Sequence, residues 1–391
     1  MSYGPFDLRG IPLALHLNGR VDVPALLDAC AAVGRRHPVL GRVRVTRTET
    51  APERYRGLAE AEAARPFDLE RGPLARFTLV TTGPGRVRLL FVAHPRVFDA
   101  ASKDVLLRDL ADVYFSRAVP ARPVAGTPAQ NASAPSGTVV PPGAEAFWAE
   151  RDREPAEPVL PGLRAVPHGT GPGEIVETVL GATESGALTE AAGTLGATRF
   201  ELLLAVLGAL LRHYGAVGSP LALELGTRTR ETRECVGPFT ARVPFVPHPG
   251  PDEEFPAHVR AVRTELRAMY RFRYAPPEPS RAPVLLSYRR RAGVPEFAGV
   301  AAGVEWTVFN GVARGALHVQ AVDAGGSLTL GLRFNPAAID HADVSRIAGD
   351  LRALLRAVPE APHGGIAELA ELAELAELSG MAAPVAGGVA G

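Results

Sequence analysis

The 391-residue chain has almost no lysine and no net charge, and both shortages limit what it can bind. Lys103 is the only lysine, so arginine carries nearly all of the positive charge, and 42 basic residues balance 42 acidic ones. A balanced charge provides no basic field that would attract nucleic acid or an anionic membrane surface. We therefore expect neither nucleic acid nor a membrane among the partners of this protein.

Cysteine, secretion signals and long apolar runs are also scarce. Cys30 and Cys235 are the only cysteines, and no spacing of Cys and His residues matches a zinc site. Two unlinked thiols are typical of a protein in a reducing compartment. The N-terminus lacks the basic start and apolar stretch of a secretory signal, and no stretch approaches the ~20 apolar residues of a membrane span. These absences predict a cytoplasmic protein that binds no metal.

What the chain does have is apolar residues, at 46% of the total, arranged in two successive series of strand and helix patterns. The first series predicts strands at 11–17, 41–47, 74–80 and 86–94, and helices at 22–37 and 101–115. Asp22 is expected to cap the first helix, with Pro24 in its first turn. A short helix is expected near 143–155.

The second series has similar content, so both halves are expected to be α+β. It predicts strands at 174–180, 220–226, 241–247, 283–289, 315–323 and 327–334, and helices at 198–214, 252–272 and 340–358. Thr198 and Glu201 form a capping-box pattern at the first of these helices, and Gly325-Gly326 is expected to form the turn between the last two strands. We place one lobe at residues 1–165 and the other at residues 166–360.

Two segments fall outside this pattern. Residues 118–142 are rich in Pro, Ala, Ser and Gly without periodicity, which predicts a flexible linker or loop. Residues 361–391 repeat Ala-Glu-Leu with a period of three, which is typical of a low-complexity tail. A docking helix for a partner protein is the alternative interpretation of this repeat.

A candidate site lies at the turn between the strand that ends near residue 93 and the helix that begins near residue 101. The segment reads LLFVAHPRVFDAASKDVLL and places His94 and Asp99 between the two elements. On these residues alone, His94 fits a structural histidine as well as a catalyst, and Asp99 fits a helix cap. No serine elbow, HExxH, Walker loop or GxGxxG pattern lies nearby.

Several segments, in order, resemble the condensation domains of nonribosomal peptide synthetases. ARPFDLERGPLARFTLV (64–80) is similar to the segment before the family's active-site strand, and residues 94–100 fall at its HHxxxDG motif. CVGPFTARVPFVP (235–247) resembles the family's GPF segment, here Gly237, Pro238 and Phe239. VDVPALLDACAAVGRRHPVLGRVRV (21–45) resembles its first helix and RHxxL segment. The resemblance runs from about residue 8 to about residue 358.

This resemblance implies an α+β fold of two chloramphenicol-acetyltransferase-like lobes in a V-shaped arrangement with a central tunnel. In the family, two carrier proteins deliver acyl groups from opposite sides, and an amine on one attacks the thioester on the other. The implied partner is therefore an acyl or peptidyl carrier protein. Its phosphopantetheine arm would enter the tunnel, and the chain itself would bind no cofactor.

The motif itself is incomplete. His94 matches the first histidine and Asp99 the aspartate, but Pro95 replaces the second histidine, usually held catalytic, and Ala100 replaces the glycine. Proline has no side-chain donor or acceptor and no backbone N–H, so it cannot accept a proton or orient an amine.

Two other positions of the family pattern have alternative assignments. The asparagine of the GPF segment falls at Thr240 or Ala241, depending on the alignment. The resemblance also implies that Asp99 pairs with an arginine after the first helix, Arg42 or Arg44, rather than acting mainly as a helix cap.

Two functions stay open at this point. The first is a stand-alone, catalytically degenerate condensation-like protein that binds a carrier protein or a tailoring enzyme. The X domains of glycopeptide synthetases, which have a degenerate motif and recruit oxygenases to carrier-bound peptides, are the family precedent. The alternative is an active acyltransferase that forms an amide or ester with His94 or by substrate tethering alone. Neither an adenylation domain nor a carrier-type GxDS serine follows, so partners are expected to act in trans.

Overall fold

A computed structural model describes residues 7–116, 141–151, 160–164, 170–216, 220–246, 250, 253–275, 282–291 and 293–372. This part of the chain has mixed α+β architecture, as the sequence predicts. Its strands are β1 (Ile11–Gly19), β2 (Arg44–Glu49), β3 (Ala75–Gly83), β4 (Arg86–Ala93), β5 (Thr170–Pro172), β6 (Glu174–Leu180), β7 (Leu221–Gly226), β8 (Thr240–Phe245), β9 (Val284–Arg290), β10 (Val300–Glu305), β11 (Val312–Arg314), β12 (Leu317–Asp323) and β13 (Leu328–Phe334). Its α-helices are α1 (Val23–Arg36), α2 (Tyr55–Ala64), α3 (Ser102–Ser116), α4 (Ala144–Ala149), α5 (Ala182–Thr194), α6 (Arg199–His213), α7 (Phe255–Phe272) and α8 (His341–Glu360).

The strands form two main sheets, each with its own core. The first has the order β10-β1-β4-β3-β2, with α1 and α3 packed on one face and α2 on the other. The second has the order β6-β13-β12-β9-β7-β8, and α5, α6, α7 and α8 cover one of its faces. β5 and β11 make a separate two-stranded pair.

The second half of the sequence contributes one strand to the first sheet, so the predicted boundary at residue 165 does not divide the sheets. β10 belongs to the second half in sequence, yet it pairs antiparallel with β1 of the first sheet, with Leu15 opposite Val304. Its sequence, VAAGVE, contains three small residues and is mostly half-exposed. The period-two pattern is therefore weak, and the strand was not predicted.

Local capping and turn signals are confirmed. Asp22 Oδ1 accepts a hydrogen bond from the N–H of Ala25 at 3.0 Å and caps α1. Thr198 and Glu201 make both hydrogen bonds of the capping box at the start of α6, at 3.2 and 2.6 Å. The hairpin between β12 and β13 turns at Gly325, whose φ of 79° is readily accessible only to glycine.

Two helices were not predicted, and both have weak apolar periodicity. α2 is ten residues long and consists mostly of Ala and Glu, and α5 consists mainly of small residues. Packing supplies what the pattern lacks, because α2 buries three residues against the first sheet and α5 buries four in the core of the second.

The most apolar helix, α6, lies inside the second core, where ten consecutive residues from Leu202 to Leu211 are buried. A helix that is apolar on all sides is expected in such a position. Within the described residues, no individual helix is long and apolar enough to cross a bilayer. The pair α5 and α6 meets that length and composition only jointly, and it is bent by 94°.

The start of the predicted tail packs onto the second half. Residues 366–372 are helical, and Leu369 is 1% exposed. The N–H of Phe255 donates to the carbonyl of Gly364 at 3.0 Å, and that of Ile366 to Glu253 at 3.3 Å. Residue 360 therefore does not mark the end of the packed chain. Nearly all of the predicted linker, and the repeat from residue 373 onward, lie outside the described residues.

A buried charged cluster ties α1 to α3. Asp109 in α3 accepts hydrogen bonds from Arg36 Nε at 2.7 Å and from His37 Nε2 at 2.8 Å, and all three side chains are buried. Burial alone would raise the pKa of Asp109, but the hydrogen bonds from His37 and Arg36 outweigh it and hold the pKa below its usual value. The carboxylate is therefore charged, and it fixes the C-terminal end of α1.

We expect Asp109→Asn to lower the free energy of unfolding by about 3–5 kcal/mol, because it leaves the Arg36 guanidinium buried without its counter-charge. Urea denaturation followed by circular dichroism measures this loss. Asp28→Asn, at an exposed position of α1, is the matched control and should change stability by no more than about 0.5 kcal/mol. Equal effects of the two substitutions would show that the cluster contributes little.

The same cluster predicts a pH dependence of stability. The folded-state pKa of Asp109 is depressed, so its contribution is fully present above the unfolded pKa, about 3.9. It is lost as the pH falls through the folded-state pKa. We therefore expect the stability difference between the wild type and Asp109→Asn to narrow below about pH 4. A difference that stays constant between neutral and acidic pH would contradict this assignment.

Candidate functional site

His94 directly follows β4, and both its backbone and its ring form hydrogen bonds. Its N–H donates to the carbonyl of Leu74 at 2.8 Å, and the residue is 2% exposed. Nε2 lies 2.8 Å from the carbonyl oxygen of Asp7, and the N–H of Arg96 donates to Nδ1 at 3.2 Å. Because a carbonyl only accepts, Nε2 carries the proton, and Nδ1 is the acceptor.

These contacts leave His94 without a free ring nitrogen. Burial lowers the pKa of its imidazole, the nearby positive charges of Arg96 and Arg314 lower it further, and the hydrogen bond to Asp7 only partly opposes this. The ring is therefore neutral, with one tautomer fixed by its partners. Taking a proton from a substrate would require His94 to give up its hydrogen bond from Arg96.

Pro95 and Ala100 stand at the two degenerate motif positions, and both are half-buried. Neither side chain can donate or accept a hydrogen bond or transfer a proton. In the described part of the chain, no group of three or more His, Cys, Asp or Glu side chains is placed to hold a metal ion.

Asp99 joins three separate segments and is 5% exposed. Its Oδ1 accepts from the N–H of Ser102 at 2.8 Å, from Ser102 Oγ at 2.7 Å and from Arg228 Nη2 at 2.9 Å. Its Oδ2 accepts from Arg228 Nη1 and from the N–H of Phe239 at 3.0 Å. We call Asp99, Ser102, Arg228 and the Phe239 N–H the Asp99 hub.

The predicted partner of Asp99 was wrong. Arg42 and Arg44 are exposed, and Arg44 begins β2, the far edge strand of the first sheet. The ion pair is made by Arg228, which follows β7 in the second half of the chain. Asp99 is not mainly a helix cap, as expected, because the N–H of Ser102 is only one of its donors, and Arg228, the N–H of Phe239 and Ser102 Oγ supply the others. The local sequence TRTRETRE (227–234) contains three arginines and does not distinguish Arg228 as the partner of Asp99.

The GPF segment lies against residues 94–100, which we call the motif loop. The N–H of Gly237 donates to Ser102 Oγ at 3.0 Å, and the N–H of Phe239 completes the Asp99 hub. A Cβ at position 237 would lie 2.6 Å from the Phe239 ring, so this close approach needs glycine. Pro238 stands between these two hydrogen-bonding residues, and the Arg228 guanidinium lies 4.6 Å from the centre of the Phe239 ring.

Of the two candidates for the family's asparagine position, only Thr240 faces the site. Its Oγ1 lies 3.4 Å from Asp99 Oδ2. Ala241 is buried in the core of the second sheet. A hydroxyl therefore occupies the position nearest to the motif loop.

A second set of polar contacts crosses from α3 to the second half. Lys103 is 4% exposed and donates from Nζ to the carbonyl of Trp306 at 2.9 Å. Asp104 forms an ion pair with Arg289, whose guanidinium lies 4.3 Å from the centre of the Trp306 ring. Burial, followed by the positive charges of Arg289 and Arg333, lowers the pKa of Lys103 far below its ordinary value. In the sequence, Lys103 stands out only as the single lysine, and that fact does not predict that it is buried.

A cavity of about 460 Å³ opens between the two sheets on the β10 side. His16 of β1 and Glu305 of β10 lie at one wall, with their side-chain atoms 3.5 Å apart. The opposite wall is formed by the β12–β13 hairpin. The lining residues are His16, Arg291, Gly303, Val304, Glu305, Trp306, Thr307, Val322, Ala324, Ser327 and Thr329.

The family model for the condensation domain matches residues 42–278, more than half of the chain. The chain belongs to the condensation-domain family. A relative from Salinispora arenicola (strain CNS-205), the probable non-canonical nonribosomal peptide synthetase CymA, is 30% identical over 310 residues. This match covers 70% of the chain but only 4% of CymA, so the chain corresponds to a small part of that protein.

Solved structures show the fold. The X-domain from teicoplanin biosynthesis has a TM-score of 0.75 at 24% identity, covering 92% of both chains. In its complex with OxyB, the TM-score is 0.69 at 23% identity, covering 92% of this chain and 90% of that one. The first condensation domain of the calcium-dependent antibiotic synthetase, bound to a substrate analogue, has a TM-score of 0.77 at 16% identity, covering 93% of both. The chain thus has the chloramphenicol-acetyltransferase-like α+β fold of condensation domains. The V-shaped arrangement and the tunnel stay predictions.

We expect Arg228→Gln to destabilise the protein by about 3 kcal/mol or more, because it leaves the buried Asp99 carboxylate without its counter-charge. Arg44→Gln, at the partner position that the sequence suggested, removes the same charge from an exposed site and should cost no more than about 0.5 kcal/mol. Guanidinium denaturation of both variants measures the two values. A larger loss for Arg44→Gln than for Arg228→Gln would contradict the assignment.

Proposed function

We propose that this condensation domain is catalytically degenerate and acts in nonribosomal peptide biosynthesis as a binding module for a carrier protein or a tailoring enzyme. The observation that carries this proposal is the pair of residues at the motif's two histidine positions. Pro95 has no group that can accept a proton, and both ring nitrogens of His94 are already hydrogen bonded. The loop therefore has no side chain ready to act as a base.

The expected loss of reaction rate without a base supports this interpretation. A positioned acid–base group typically contributes about 10²–10⁴ to a rate. Holding two tethered reactants side by side can lower a barrier without any base. A residual reaction through tethering is the alternative function, and it is an outcome of the experiment below.

The hydrogen bonds that hold the motif loop in place are intact although Pro95 supplies no base, which favours a binding function over catalysis. The Asp99 hub still joins the motif loop to the second half of the chain through a buried ion pair. Such a pair is costly to bury, and in this protein we infer that it is retained because it fixes the geometry of the loop. A loop kept in place after its proton acceptor has gone is consistent with selection for shape.

The partner classes follow from the family and from a structural neighbour. Condensation domains work with carrier proteins, so the phosphopantetheine arm of such a protein is the expected ligand. The cavity between the sheets, with polar groups on both walls, is compatible with the hydroxyl and amide groups of that arm. The teicoplanin X-domain forms a complex with OxyB, which makes a tailoring enzyme the second partner class.

The test combines a binding assay with a turnover assay. Peptidyl carrier proteins are loaded with aminoacyl or acyl phosphopantetheine, and their binding to this chain is measured by calorimetry. Amide or ester formation between loaded carriers is followed by intact-protein mass spectrometry. We expect measurable carrier binding and no product above the uncatalysed background for the wild type.

Variants at the motif separate positioning from chemistry. Pro95→His combined with Ala100→Gly restores both missing motif residues and should raise turnover above that of the wild type if the base alone is absent. Pro95→Ala combined with Ala100→Gly is the matched control, because it relaxes the same backbone without supplying a base. Robust product formation by the wild type, abolished by His94→Ala with carrier affinity retained, would overturn the proposal in favour of an active acyltransferase.

A further inference from the structure

The outermost strand of the first sheet, β10, has one open edge. It pairs with β1 on one side, and no described strand pairs with it on the other. Four of its six residues are half-buried and two are exposed. Small side chains at Ala301, Ala302 and Gly303 leave the backbone accessible to a close neighbour. An edge of this kind presents N–H and C=O groups that can pair with another extended chain.

A hydrogen bond at the end of β1 shows which residues of β10 face this edge. In an antiparallel sheet, successive residues direct their N–H and C=O to opposite neighbours. The N–H of Gly19 donates to the carbonyl of Gly85, directly before β4, at 2.9 Å. Odd-numbered residues of β1 therefore bond β4, and even-numbered residues such as His16 bond β10, where His16 lies opposite Gly303. It follows that odd-numbered residues of β10 bond β1 and even-numbered residues face the open edge.

Both ends of the open edge already have partners. The N–H of Val300 donates to the carbonyl of Phe297 at 2.9 Å, which closes one end. At the other end, Trp306 directly follows β10, and its carbonyl accepts from Lys103 Nζ at 2.9 Å. Both contacts are made by even-numbered residues, in agreement with the direction inferred from β1. The free part of the edge is therefore short.

Ala302 and Val304 form this free part, which we call the β10 edge. Their two N–H and two C=O groups make no hydrogen bond with any described residue. Equivalent groups of the two residues lie about 6.8 Å apart, since an antiparallel strand rises about 3.4 Å per residue. The edge thus offers two donors and two acceptors at the repeat of a β-ladder.

The cavity of about 460 Å³ lies beside this edge. Residues 303–307 line it as one continuous segment, and the β12–β13 hairpin forms the opposite wall. Its volume is within the range of small-ligand sites. Trp306 both lines the cavity and binds Lys103, which follows the motif loop by three residues. The cavity therefore adjoins the segment directly after the motif loop.

We propose that the β10 edge binds the backbone of a short peptide attached to the phosphopantetheine arm of a carrier protein. The peptide adds to the first sheet as an extended strand and exchanges hydrogen bonds with Ala302 and Val304. This inference rests on the proposed function for the carrier that delivers the peptide. The recognition itself needs only the peptide and the edge.

The spacing and the length of the edge select this ligand. A peptide presents N–H and C=O groups to one side at the same two-residue repeat, so both residues of the edge can pair at once. The phosphopantetheine arm has two amides separated by the longer β-alanine unit, so it does not match that repeat. A strand of a folded partner typically runs over about five or six residues, but Phe297 and Lys103 occupy the groups on either side.

Calorimetric titration of the wild type with carrier-free probes tests the proposal. Acetyl-Val-Ala-Val-aminopantetheine carries a peptide through a stable amide, and acetyl-aminopantetheine has the same arm without the peptide. We expect the peptidyl probe to bind at least about 10-fold more tightly, because each added backbone hydrogen bond gives a several-fold gain.

N-methylation of the probe separates strand pairing from apolar contact. Alternate residues of an extended peptide face the edge, so a methyl group on one of two adjacent amide nitrogens blocks pairing and on the other points away. We expect one isomer, methylated at the central alanine or at the last valine, to lose the gain and the other to keep it. The protein is unchanged in this comparison, so a loss of folding cannot produce the result.

Ala302→Pro locates the pairing in β10. Proline removes the outward N–H and is tolerated on an edge strand where that N–H makes no ladder bond. We expect the affinity for the peptidyl probe to fall about 3- to 10-fold and that for the acetyl probe to stay unchanged. Ala301→Val, at an exposed position whose backbone bonds β1, is the matched control and should keep both affinities.

Four results would overturn the proposal. They are equal affinity of the wild type for the peptidyl and acetyl probes, equal affinity of the two N-methyl isomers, a peptide preference that survives Ala302→Pro, and failure of the peptidyl probe to bind at millimolar concentration. Carrier binding without a peptide preference contradicts this inference alone. A carrier protein that does not bind, while the peptidyl probe does, contradicts only the proposed function.

Discussion

The Asp99 carboxylate is the contact on which the geometry of the site depends. It accepts hydrogen bonds from the start of α3, from Arg228 after β7 and from the backbone before β8. A buried carboxylate is stable only when its oxygens are satisfied in this way. The motif loop therefore cannot shift without breaking contacts to the second half of the chain. These contacts of Asp99 thus help to fix the positions of His94 and Pro95 in the same loop.

Around this hub, the two halves interlock through contacts of different kinds. β10 extends the first sheet with residues from the second half. Lys103 binds the backbone directly after that strand, and Asp104 holds Arg289. Since these residues follow Ser102 in the same helix turn, the start of α3 contacts the motif loop, the segment after β10 and the second sheet. Separation of the halves would expose several charged groups at once.

The site combines a rigid frame with a buried histidine whose ring is fully hydrogen bonded. Proton transfer needs a group with a free lone pair and an accessible pKa, and both ring nitrogens of His94 already take part in hydrogen bonds. The frame depends on other residues, because the Asp99 hub is formed with Arg228, Ser102 and the N–H of Phe239.

The sequence by itself determined the features that depend on near neighbours along the chain. These include the Asp22 cap, the Thr198–Glu201 capping box, the turn at Gly325 and the motif segment that resembles the family. It could not identify Arg228 as the partner of Asp99, the union of β10 with β1, or the cluster of Arg36 and His37 on Asp109. Each joins residues more than 70 positions apart, and an arginine has the same local pattern whether its partner is water or a buried carboxylate. Tertiary packing decided these pairs because only the folded chain removes the charges from water and leaves one geometry in which all of them are satisfied.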